Sequence, residues 1–464
     1  MKEELKISID DLFELPNAAV YNSESYKPVS AVSIDSRNIK KDSLFIAIKG
    51  DKFDGHNFIC NAITAGASAI IIDENKAEKF SNQKIPVVTV KDTTTALGDL
   101  AKVWRRKLNT KIIAITGSAG KTTTKEMLAA ILSEKYKVNK TAANNNNHIG
   151  VPLTLFGTSN EHEVLILEIG TNHFGEVAYT ANIAQPDYAI ITNIGNSHLE
   201  YLKNKKGVLN EKIALFEAAA ARNGIVFINN DDILISKTML DYPKRVTFGF
   251  ESVSDIKGAI DSYNEEGKPV IEIVYKDLKI KQAFNIYGEQ SAKNYLAAVA
   301  IALKLGLNKK EIIAGISKFK PIDKRLNVRT FKKFVLIDDT YNANPESMRY
   351  AIELMPKIKA YKKKIAVLGD MFELGDESAK LHSELGRIIR RNKIDLVVTI
   401  GESMKNLDSE LKKLEVESIH FDNRKDLADY LNTFKFPGHV VLLKGSRGMR
   451  MEEFSKIIES KAHA

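Results

Sequence analysis

The stretch KIIAITGSAGKTTTKEM, residues 111–127, constrains the fold of this chain more than any other segment. Its apolar first half has the length and composition of a buried strand, and the loop that follows reads G-x-x-G-K-T. A strand that runs through a glycine loop into a helix is a βα unit, which belongs in a parallel sheet covered by helices. The chain has 464 residues, too many for one ordinary core, so we expect several α/β units.

The same loop carries the first chemical prediction. A glycine loop at a helix N-terminus offers backbone N–H groups to a phosphate, and a lysine adds a mobile positive charge. We therefore expect Lys121 to contact the β- and γ-phosphates, and Thr122 or Thr123 to offer a hydroxyl to Mg²⁺. The alternative is an ordinary strand-to-helix turn that happens to contain Gly-Lys. The predicted ATP-binding residues of the loop are Gly117, Ser118, Ala119, Gly120, Lys121, Thr122 and Thr123.

Strands and helices alternate on both sides of this unit as well. The segments SLFIAIKG, SAIIID and PVVTV precede it, and FVLIDD, KIAVLGD, DLVVTIG and HVVLLKG follow it, each with the composition of a buried strand. A polar LNTK segment and a proline-containing link separate the three runs. We predict three α/β domains, with residues 1–107, 108–321 and 322–464 as their limits.

Three candidate residues lie beyond the loop, near the ends of later strands. Glu168 ends the strand VLILE, and His198 follows the next strand in TNIGNSHLE, so both belong at the carboxyl edge of the sheet, where ligands bind in open α/β folds. A carboxylate at this edge suits a second magnesium contact. Each residue also has an ordinary interpretation: Glu168 as a cap, His198 as a structural histidine, and Lys212 as a surface lysine.

Composition narrows the function classes. The formal charge is +9, but lysine and arginine alternate with acids and form no long basic block, which favours a small anionic substrate over nucleic acid. No apolar run approaches membrane-spanning length, and the charged start has no secretion-signal core, so we expect a cytoplasmic protein without membrane insertion. The single cysteine, Cys60, lies in the apolar stretch FICNAI and is expected in the core.

Several segments together resemble the Mur ligase family, the ATP-dependent amide-forming enzymes of peptidoglycan precursor synthesis. They are the short G-x-x-G-K-T loop, NNNNHIGVPLTL, LEIGTNHFGE, ITNIGNSHLE, IDDTYNANPESM, VLGDMFELGDES and VLLKGSRGM, with SIDSRNIKKDSLFIAIKGDKFDGHNFI near the start. These segments lie in all three predicted domains. Within the family they are most similar to the members that join D-alanyl-D-alanine to UDP-MurNAc-tripeptide.

The resemblance implies an architecture and a reaction. The expected fold is an N-terminal α/β uridine-nucleotide domain, a central P-loop-type ATPase domain with a mainly parallel sheet, and a C-terminal Rossmann-like α/β domain that contributes to ATP and D-Ala-D-Ala binding. The expected reaction is ATP-dependent ligation through an acyl phosphate, giving ADP and phosphate, with two Mg²⁺ ions and a monomeric enzyme.

The resemblance also assigns roles to single residues. Asn294 matches an asparagine near the adenine, Arg325 matches an arginine that reaches toward the γ-phosphate, and Lys212 matches a lysine that is N-carboxylated beside the second magnesium ion. The C-terminal nucleotide contacts implied are Asp339 and Asn342. The implied catalytic residues are Lys121, Glu168, His198, Lys212 and Arg325, and the implied metal-site residues are Thr122, Glu168, His198 and Lys212.

The substrate contacts implied fall into three groups. For the uridine diphosphate they are Ser36, Arg37, Lys49, Asp54 and His56. For the MurNAc-peptide portion they are Asn146, Asn147 and His173. For the incoming dipeptide, or for the interface between closed domains, they are Lys444, Ser446 and Arg447.

The chain also departs from the family pattern. Ala119 stands where asparagine is usual, Gln290 and Ser291 replace a histidine and an asparagine, and Lys324 stands where glycine is usual. None of these changes removes a phosphate-binding or metal-binding group. Three other functions stay open at this point: a ligase that adds a diamino acid, a folylpolyglutamate synthase, and a nucleotide-binding regulator without catalysis.

Overall fold

The computed structural model of the protein describes residues 5–264, 266–284 and 286–462. Within them the chain forms three sheets covered by helices, and most neighbouring strands are parallel. The α/β fold predicted from the sequence is confirmed. No helix of the described residues is long and apolar enough to cross a membrane.

The first sheet has the strand order β1-β5-β4-β3-β2, and only β1 runs antiparallel to its neighbour. Its strands are β1 (Ala19–Tyr21), β2 (Ala31–Ser33), β3 (Ser43–Ile46), β4 (Ala67–Asp73) and β5 (Val87–Val90). Its helices are α1 (Ile9–Phe13), α2 (Ile59–Thr64), α3 (Ala77–Phe80) and α4 (Thr93–Lys107). Short 3-10 turns lie at Ser23–Ser25, Ser36–Asn38, Gly55–Phe58 and Glu74–Lys76.

The second sheet has the order β14-β13-β12-β11-β10-β9-β6-β8-β7 and is parallel from β7 to β12. Its strands are β6 (Lys111–Thr116), β7 (Val138–Lys140), β8 (Val164–Glu168), β9 (Tyr188–Ile191), β10 (Ile225–Asn229), β11 (Arg245–Gly249), β12 (Ile256–Tyr263), β13 (Pro269–Tyr275) and β14 (Leu278–Ala283). Its helices are α5 (Lys121–Leu132), α6 (Gly150–Phe156), α7 (Glu176–Ala184), α8 (Leu199–Leu202), α9 (Lys205–Ala221), α10 (Glu289–Lys304) and α11 (Lys309–Ser317), with a 3-10 turn at Ile235–Lys237.

The third sheet has the order β15-β16-β20-β17-β18-β19, and only β15 is antiparallel to its neighbour. Its strands are β15 (Asn327–Thr330), β16 (Val335–Asp339), β17 (Lys363–Gly369), β18 (Leu396–Ile400), β19 (Ser418–Phe421) and β20 (His439–Lys444). Its helices are α12 (Pro345–Leu354), α13 (Ser378–Arg391), α14 (Met404–Lys413), α15 (Arg424–Thr433) and α16 (Glu452–Ser460), with 3-10 turns at Met355–Lys357, Gly375–Glu377 and Arg447–Met449.

Buried aliphatic residues explain why the central strands lie where they do. Strand β6 is buried from Ile112 onward and lies between β8 and β9, so the glycine loop emerges at the middle of the sheet. Helices α5 and α10 cover one face of this strand, and Met127 and Tyr295 pack into the same apolar cluster as Ile113. The glycine loop therefore follows a buried strand in the interior of the second sheet.

Two expectations fail or fall short in this comparison. Cys60 is exposed on α2, so its assignment to the core is wrong: the helix turns its apolar face inward through Ile59 and Ala62 and leaves the cysteine outside. The antiparallel strands β12, β13 and β14 were not predicted. Strand β13 does alternate, with Glu272 between the buried Ile271 and Ile273, so a period-two signal was present in the sequence.

Candidate active site

The loop between β6 and α5 has the backbone geometry that a phosphate site needs. Gly117 and Gly120 have φ angles of 147° and 83°, in the region that favours glycine. A Cβ atom at Gly117 would collide with Thr192 Oγ1, and one at Gly120 would collide with Asn294 Oδ1. A residue with a side chain would therefore not fit at either position. The two glycines also allow the loop to bring its backbone N–H groups close to a ligand.

A cleft of about 1000 Å³ opens beside this loop, between the second and third sheets. It brings together most of the residues that the sequence predicted for nucleotide, metal and acceptor binding. Those that line it are Ser118, Ala119, Gly120, Lys121, Thr122, Thr123, Asn146, Asn147, Glu168, His198, Asn294, Arg325, Asp339, Asn342, Lys444 and Arg447. We call the parts of the chain that form the first, second and third sheets the first, second and third units. The predicted residues that do not line the cleft are Gly117, Lys212, His173 and Ser446 from the second and third units, and Ser36, Arg37, Lys49, Asp54 and His56 from the first.

Two cations, Lys121 and Arg325, line the cleft. The Lys121 ammonium donates a hydrogen bond of 2.6 Å to the Gly117 carbonyl, and burial lowers its pKa, with the nearby Arg325 charge acting in the same direction. The Arg325 guanidinium lies 3.9 Å from the centre of the Tyr341 ring. Among the described residues it has no side-chain hydrogen bond or ion pair. Like charges this close are stabilised when an anion binds between them.

Glu168 is buried at the end of β8, and its two carboxylate oxygens have different surroundings. Its Oε1 accepts a hydrogen bond of 2.9 Å from Asn146 Nδ2, whereas Oε2 is buried and has no hydrogen-bond partner in the described part of the chain. The Lys125 ammonium, itself fully buried, lies 3.5 Å from Oε2. Sequence reasoning missed Lys125, whose position four residues after Lys121 on α5 was the available signal.

The donor set around Glu168 fits magnesium better than a metal held by protein alone. No cluster of three or more His, Cys, Asp or Glu side chains that could hold a metal occurs among the residues described. Magnesium commonly takes one or two protein oxygens, with substrate phosphates and water completing its shell. Glu168 and Thr122 both line the cleft, and their carboxylate and hydroxyl oxygens are ligands of the kind that magnesium takes.

Lys212 is a buried amine, and the Glu211 charge offsets only part of the effect of its burial. It lies on α9 with only 1% of its surface exposed, and no carboxylate of the described residues is within ion-pair distance of its ammonium. Burial lowers its pKa well below the usual value for lysine, and the Lys121 charge adds to that effect. The neutral amine is the nucleophilic form of lysine.

The carboxylate next to Lys212 in the sequence is fully engaged elsewhere. Glu211 accepts hydrogen bonds of 2.7 Å from the backbone N–H groups of Gly175 and Val177, and one of 3.1 Å from Thr171 Oγ1. It therefore holds the loop after β8 against α9. Nothing in the sequence pattern singled out Glu211, because its partners are backbone groups far along the chain.

His198 connects the second and third units. Its backbone has a φ of 54°, and its Nδ1 lies 2.5 Å from Glu373 Oε2. The backbone carbonyl of Glu373 also accepts a hydrogen bond of 3.1 Å from the Glu200 N–H. The His198 bond is the first cause that lowers the pKa of the Glu373 carboxyl. The histidine predicted for the metal site is thus oriented by a residue of the third unit that the sequence did not identify.

His173 lies in the loop that Glu211 holds, close to the cleft without lining it. Its Nδ1 lies 3.2 Å from Glu176 Oε1, and its ring packs 4.2 Å from that of Tyr201. Glu176 does line the cleft. The histidine predicted for the peptide portion of the substrate is therefore at the rim.

The third unit brings its own polar loop to the phosphate loop. Asn344 Nδ2 donates a hydrogen bond of 3.2 Å to the Ser118 carbonyl. Lys444 is buried, with its ammonium 2.5 Å from Asp339 Oδ2 and donating to the Asn342 carbonyl at 2.9 Å. Burial lowers the pKa of Lys444, and Asp339 opposes that effect. Asp339 and Lys444 therefore hold in place the loop after β16 that lines the cleft.

The other two residues predicted for the dipeptide differ in accessibility. Ser446 is buried, and its Oγ accepts a hydrogen bond of 2.8 Å from the Phe372 N–H. Arg447 is exposed at the cleft and donates a hydrogen bond of 3.1 Å to the Tyr341 hydroxyl. Only Arg447 of this pair presents a charge to a ligand.

The residues predicted for the uridine diphosphate lie in the first unit, and several are paired with each other. Arg37 is exposed and makes two hydrogen bonds, of 2.9 and 2.8 Å, to the Asp35 carboxylate. His56 is buried: its Nδ1 lies 2.6 Å from Asp54 Oδ1, and its Nε2 accepts from the Asp73 N–H at 3.0 Å. Ser36 begins the 3-10 turn that carries Arg37, and Lys49 is exposed.

Comparison with known proteins agrees with this arrangement. Residues 28–105 match the model described as "Mur ligase family, catalytic domain", residues 115–302 the "Mur ligase middle domain", and residues 324–447 the "Mur ligase, glutamate ligase domain". The chain belongs to the Mur ligase family, as the motifs predicted.

Full-length relatives and solved structures narrow the match within the family. UDP-N-acetylmuramoyl-tripeptide–D-alanyl-D-alanine ligases from Bacillus subtilis and Escherichia coli are 34% and 30% identical to it, each over 98% of this chain and 99% of the relative. A crystal structure of MurF from Acinetobacter baumannii superposes with a TM-score of 0.88 at 29% identity, covering 98% of this chain and all of that one. MurF from Thermotoga maritima, solved with ADP, gives a TM-score of 0.81 at 29% identity over 93% of this chain and 98% of that one.

Proposed function

We propose that this protein is the ATP-dependent ligase that joins D-alanyl-D-alanine to UDP-MurNAc-tripeptide and so makes the pentapeptide precursor of peptidoglycan. The observation that carries the proposal is the cleft itself. One cavity is lined by the phosphate loop, by Glu168 and by Arg325, whose guanidinium has no ion-pair partner among the described residues. Full-length similarity to ligases of that name specifies the acceptor and the donor.

The first step joins two anions and therefore needs positive charge. A terminal carboxylate oxygen of the tripeptide attacks the γ-phosphorus of ATP, the bond to the β,γ-bridging oxygen breaks, and ADP leaves with that electron pair. Lys121 and Arg325 lie where they can balance the charge of the transferring group. Most of the catalysis is then positioning and electrostatic stabilisation.

The second step makes the amide bond. The free amine of D-Ala-D-Ala attacks the acyl carbon of the acyl phosphate, and a tetrahedral intermediate forms. Its collapse breaks the carbon–oxygen bond to phosphate, and the nitrogen gives up its proton. Arg447 is the exposed cation at the third-unit side of the cleft, and we propose that it meets the dipeptide carboxylate.

We propose that Thr122, Glu168, His198 and Lys212 hold two magnesium ions, which supply charge neutralisation for the nucleotide phosphates when bound. For Lys212 to serve, its amine must become an oxygen ligand. The neutral nitrogen would attack the carbon of CO₂ and lose a proton, giving an N-carboxylate. The burial of Lys212, its lowered pKa and its lack of a carboxylate partner within the described residues support this modification.

The remaining assignments follow from the arrangement of the units. We propose that residues 1–107 bind the uridine nucleotide, residues 108–321 bind ATP, and residues 322–464 contribute to ATP and D-Ala-D-Ala binding. One copy of the chain supplies both faces of the cleft, so we propose that a monomer acts. The reaction consumes ATP, and we place it in the cytoplasm for that reason.

The test is ADP release from Mg²⁺-ATP with UDP-MurNAc-tripeptide, with and without D-Ala-D-Ala. We expect turnover only when both are present. The comparison reactions are UDP-MurNAc-dipeptide with a diamino acid, and folate with glutamate. Turnover with a comparison pair alone would overturn the acceptor assignment, and binding of ATP without any turnover would favour a regulator.

The carboxylated lysine has its own test. The purified enzyme is exchanged with ¹³C-bicarbonate, and the carbonyl region of its ¹³C NMR spectrum is recorded for the native protein and for Lys212→Met. A carbamate signal that is present in the native protein and absent in the variant is expected. The same signal in both proteins, or in neither, would show that Lys212 is not modified.

A further inference from the structure

Tyr341 contacts both arginines that line the cleft. It follows β16 and lines the cleft itself. The Arg325 guanidinium carbon lies 3.9 Å from the centre of the Tyr341 ring, and that of Arg447 lies 5.2 Å from the same centre. Arg447 Nη1 also donates a hydrogen bond of 3.1 Å to the Tyr341 hydroxyl. One aromatic side chain therefore holds two cations, one through its ring and the other through its hydroxyl as well.

An aromatic ring holds an arginine differently from a carboxylate. The Asp35 carboxylate takes up Nε and Nη2 of Arg37, and a phosphate would have to displace it. Stacking on an aromatic face uses none of the five N–H donors of a guanidinium. Within the described residues Arg325 has no side-chain hydrogen bond or ion pair, and Arg447 uses one donor on the tyrosine hydroxyl. The ring therefore orients two cations and leaves most of their donors available to anions.

The backbone also connects Tyr341 to the segments that carry both arginines. Its N–H donates a hydrogen bond of 3.0 Å to the carbonyl of Lys324, the residue before Arg325. The Arg447 N–H donates one of 3.3 Å to the Oδ1 of Asn342, the residue after Tyr341. The link into the third unit, the loop after β16 and the loop after β20 therefore meet at this tyrosine. A change at its side chain would disturb the contacts of both guanidinium groups.

We propose that Tyr341 is a positioning residue that orients Arg325 toward the γ-phosphate and Arg447 toward the carboxylate of the incoming dipeptide. The inference rests on the proposed function and adds the residue that aligns the two cations of the reaction. The ring serves Arg325, and the hydroxyl serves Arg447, so two substitutions separate the contributions. Tyr341→Phe keeps the ring and removes the hydroxyl, whereas Tyr341→Leu removes both.

The first experiment measures kcat and the KM values for ATP and D-Ala-D-Ala in the native enzyme and in both variants. Tyr341→Phe should raise the KM for D-Ala-D-Ala roughly 5- to 10-fold and leave kcat and the KM for ATP near native, because only Arg447 loses a hydrogen bond. Tyr341→Leu should show the same increase and a roughly 10-fold lower kcat, because Arg325 also loses its ring. The matched control is Tyr430→Phe, the same change on α15 outside the cleft, which should leave all three values native.

The separation between kcat and KM decides the outcome of this experiment. An unchanged KM for D-Ala-D-Ala in Tyr341→Phe, or equal increases in the KM values for both substrates, would overturn the role of the hydroxyl. Equal kcat values for Tyr341→Phe and Tyr341→Leu would overturn the role of the ring. A residue that only stabilised the fold would not produce an effect on one substrate alone.

A second experiment needs no ligation and therefore separates this inference from the proposed function. Calorimetry measures the binding of AMP-PNP, an ATP analogue with a γ-phosphate, and of ADP. We expect Tyr341→Leu to bind AMP-PNP roughly 10-fold more weakly than the native protein and ADP equally well, and Tyr341→Phe to bind both as the native protein does. Native affinity of Tyr341→Leu for AMP-PNP, or equal losses for AMP-PNP and ADP, would show that the ring does not orient Arg325 toward the γ-phosphate.

Discussion

The nucleotide cleft and the loops of the first unit were both predicted to bind phosphates, yet the arginines Arg325 and Arg37 are held in opposite ways. In the cleft, the Arg325 guanidinium has no ion-pair partner in the described part of the chain. In the first unit, Arg37 is closed onto Asp35, and both ring nitrogens of His56 are occupied. A site with open charges is arranged before its ligand arrives, whereas a self-paired site must first give up its own partners. Two sites that contain the same types of charged residue can therefore differ in how many internal contacts must break before a ligand binds.

The largest effect is expected where the open charge meets the phosphates. Lys121→Ala removes the only mobile cation of the glycine loop and should lower kcat/KM by roughly 10³-fold. Thermal unfolding should remain close to that of the native protein, because within the described residues the only hydrogen bond of the Lys121 ammonium goes to the carbonyl of Gly117 in its own loop. The control is Lys237→Ala, an exposed lysine of the same unit outside the cleft. Near-native turnover of Lys121→Ala would remove the phosphate loop from the mechanism.

The second prediction concerns Lys212, the buried amine that we propose is carboxylated and binds magnesium. Lys212→Ala should lose roughly 10²-fold in kcat and recover part of it when a short carboxylic acid is added, because the acid replaces the missing oxygens. Steady-state ADP release with and without acetate measures both effects. Lys206→Ala, an exposed position on the same helix, is the control. Undiminished activity without added acid would contradict the role.

The third prediction concerns Arg37 of the first unit, where we expect a smaller effect because the guanidinium is already paired with Asp35. Arg37→Ala should raise the KM for UDP-MurNAc-tripeptide about fivefold and leave the KM for ATP unchanged, because a phosphate gains only what remains after Asp35 is displaced. The Arg37 hydrogen bond now lowers the pKa of Asp35 to about 2. Arg387→Ala, an exposed arginine on α13, serves as the control. An unchanged KM for both substrates would leave Arg37 with no part in binding.

His382 extends the comparison to stability, since it is as self-satisfied as His56. It is fully buried, its Nε2 accepts from the Met371 N–H at 3.0 Å, and burial lowers its pKa below the usual 6.5. Below pH 6.5 the unfolded chain takes up a proton that the folded chain resists. The free energy of unfolding should therefore fall with decreasing pH, by up to ~1.4 kcal/mol per pH unit, and be independent of this group above pH 6.5.

Denaturant unfolding at pH 7.5 and pH 5.5 measures this effect. His382→Gln should lose the part of the pH dependence that His382 contributes, although it is less stable at pH 7.5. His439→Gln should keep the native dependence. Equal pH dependence in the native protein and in His382→Gln would show that the buried imidazole does not control acid stability.

Much of the site could be predicted because it is local in the sequence. Glu168 ends one strand of the second sheet, the glycine loop and His198 each follow another, and the carboxyl ends of parallel strands meet at one edge. What could not be predicted comes from pairs far apart in the chain. Glu373 meets His198, and Glu211 meets the N–H of Gly175, through contacts that no spacing announces.

Burial is the other quantity that the sequence left open. Lys125 and Lys212 are ordinary lysines in the sequence, and both prove to be buried, whereas Cys60 in an apolar stretch proves to be exposed. The sequence of a segment gives the residue types that a helix contains, but it does not give the face of the helix that is buried. Which face is covered depends on the elements packed against it, and those come from elsewhere in the chain.

The sequence by itself determined the α/β class, the family and the residues that can carry phosphate chemistry, because these depend on short motifs and on apolar periodicity. The tertiary structure alone decided which of those residues are open to a ligand. Arg325 has no ion-pair partner in the described structure, whereas the Arg37 guanidinium is paired with Asp35. The physical reason is that a charge or an amide is available only when its neighbours in space leave it unsatisfied.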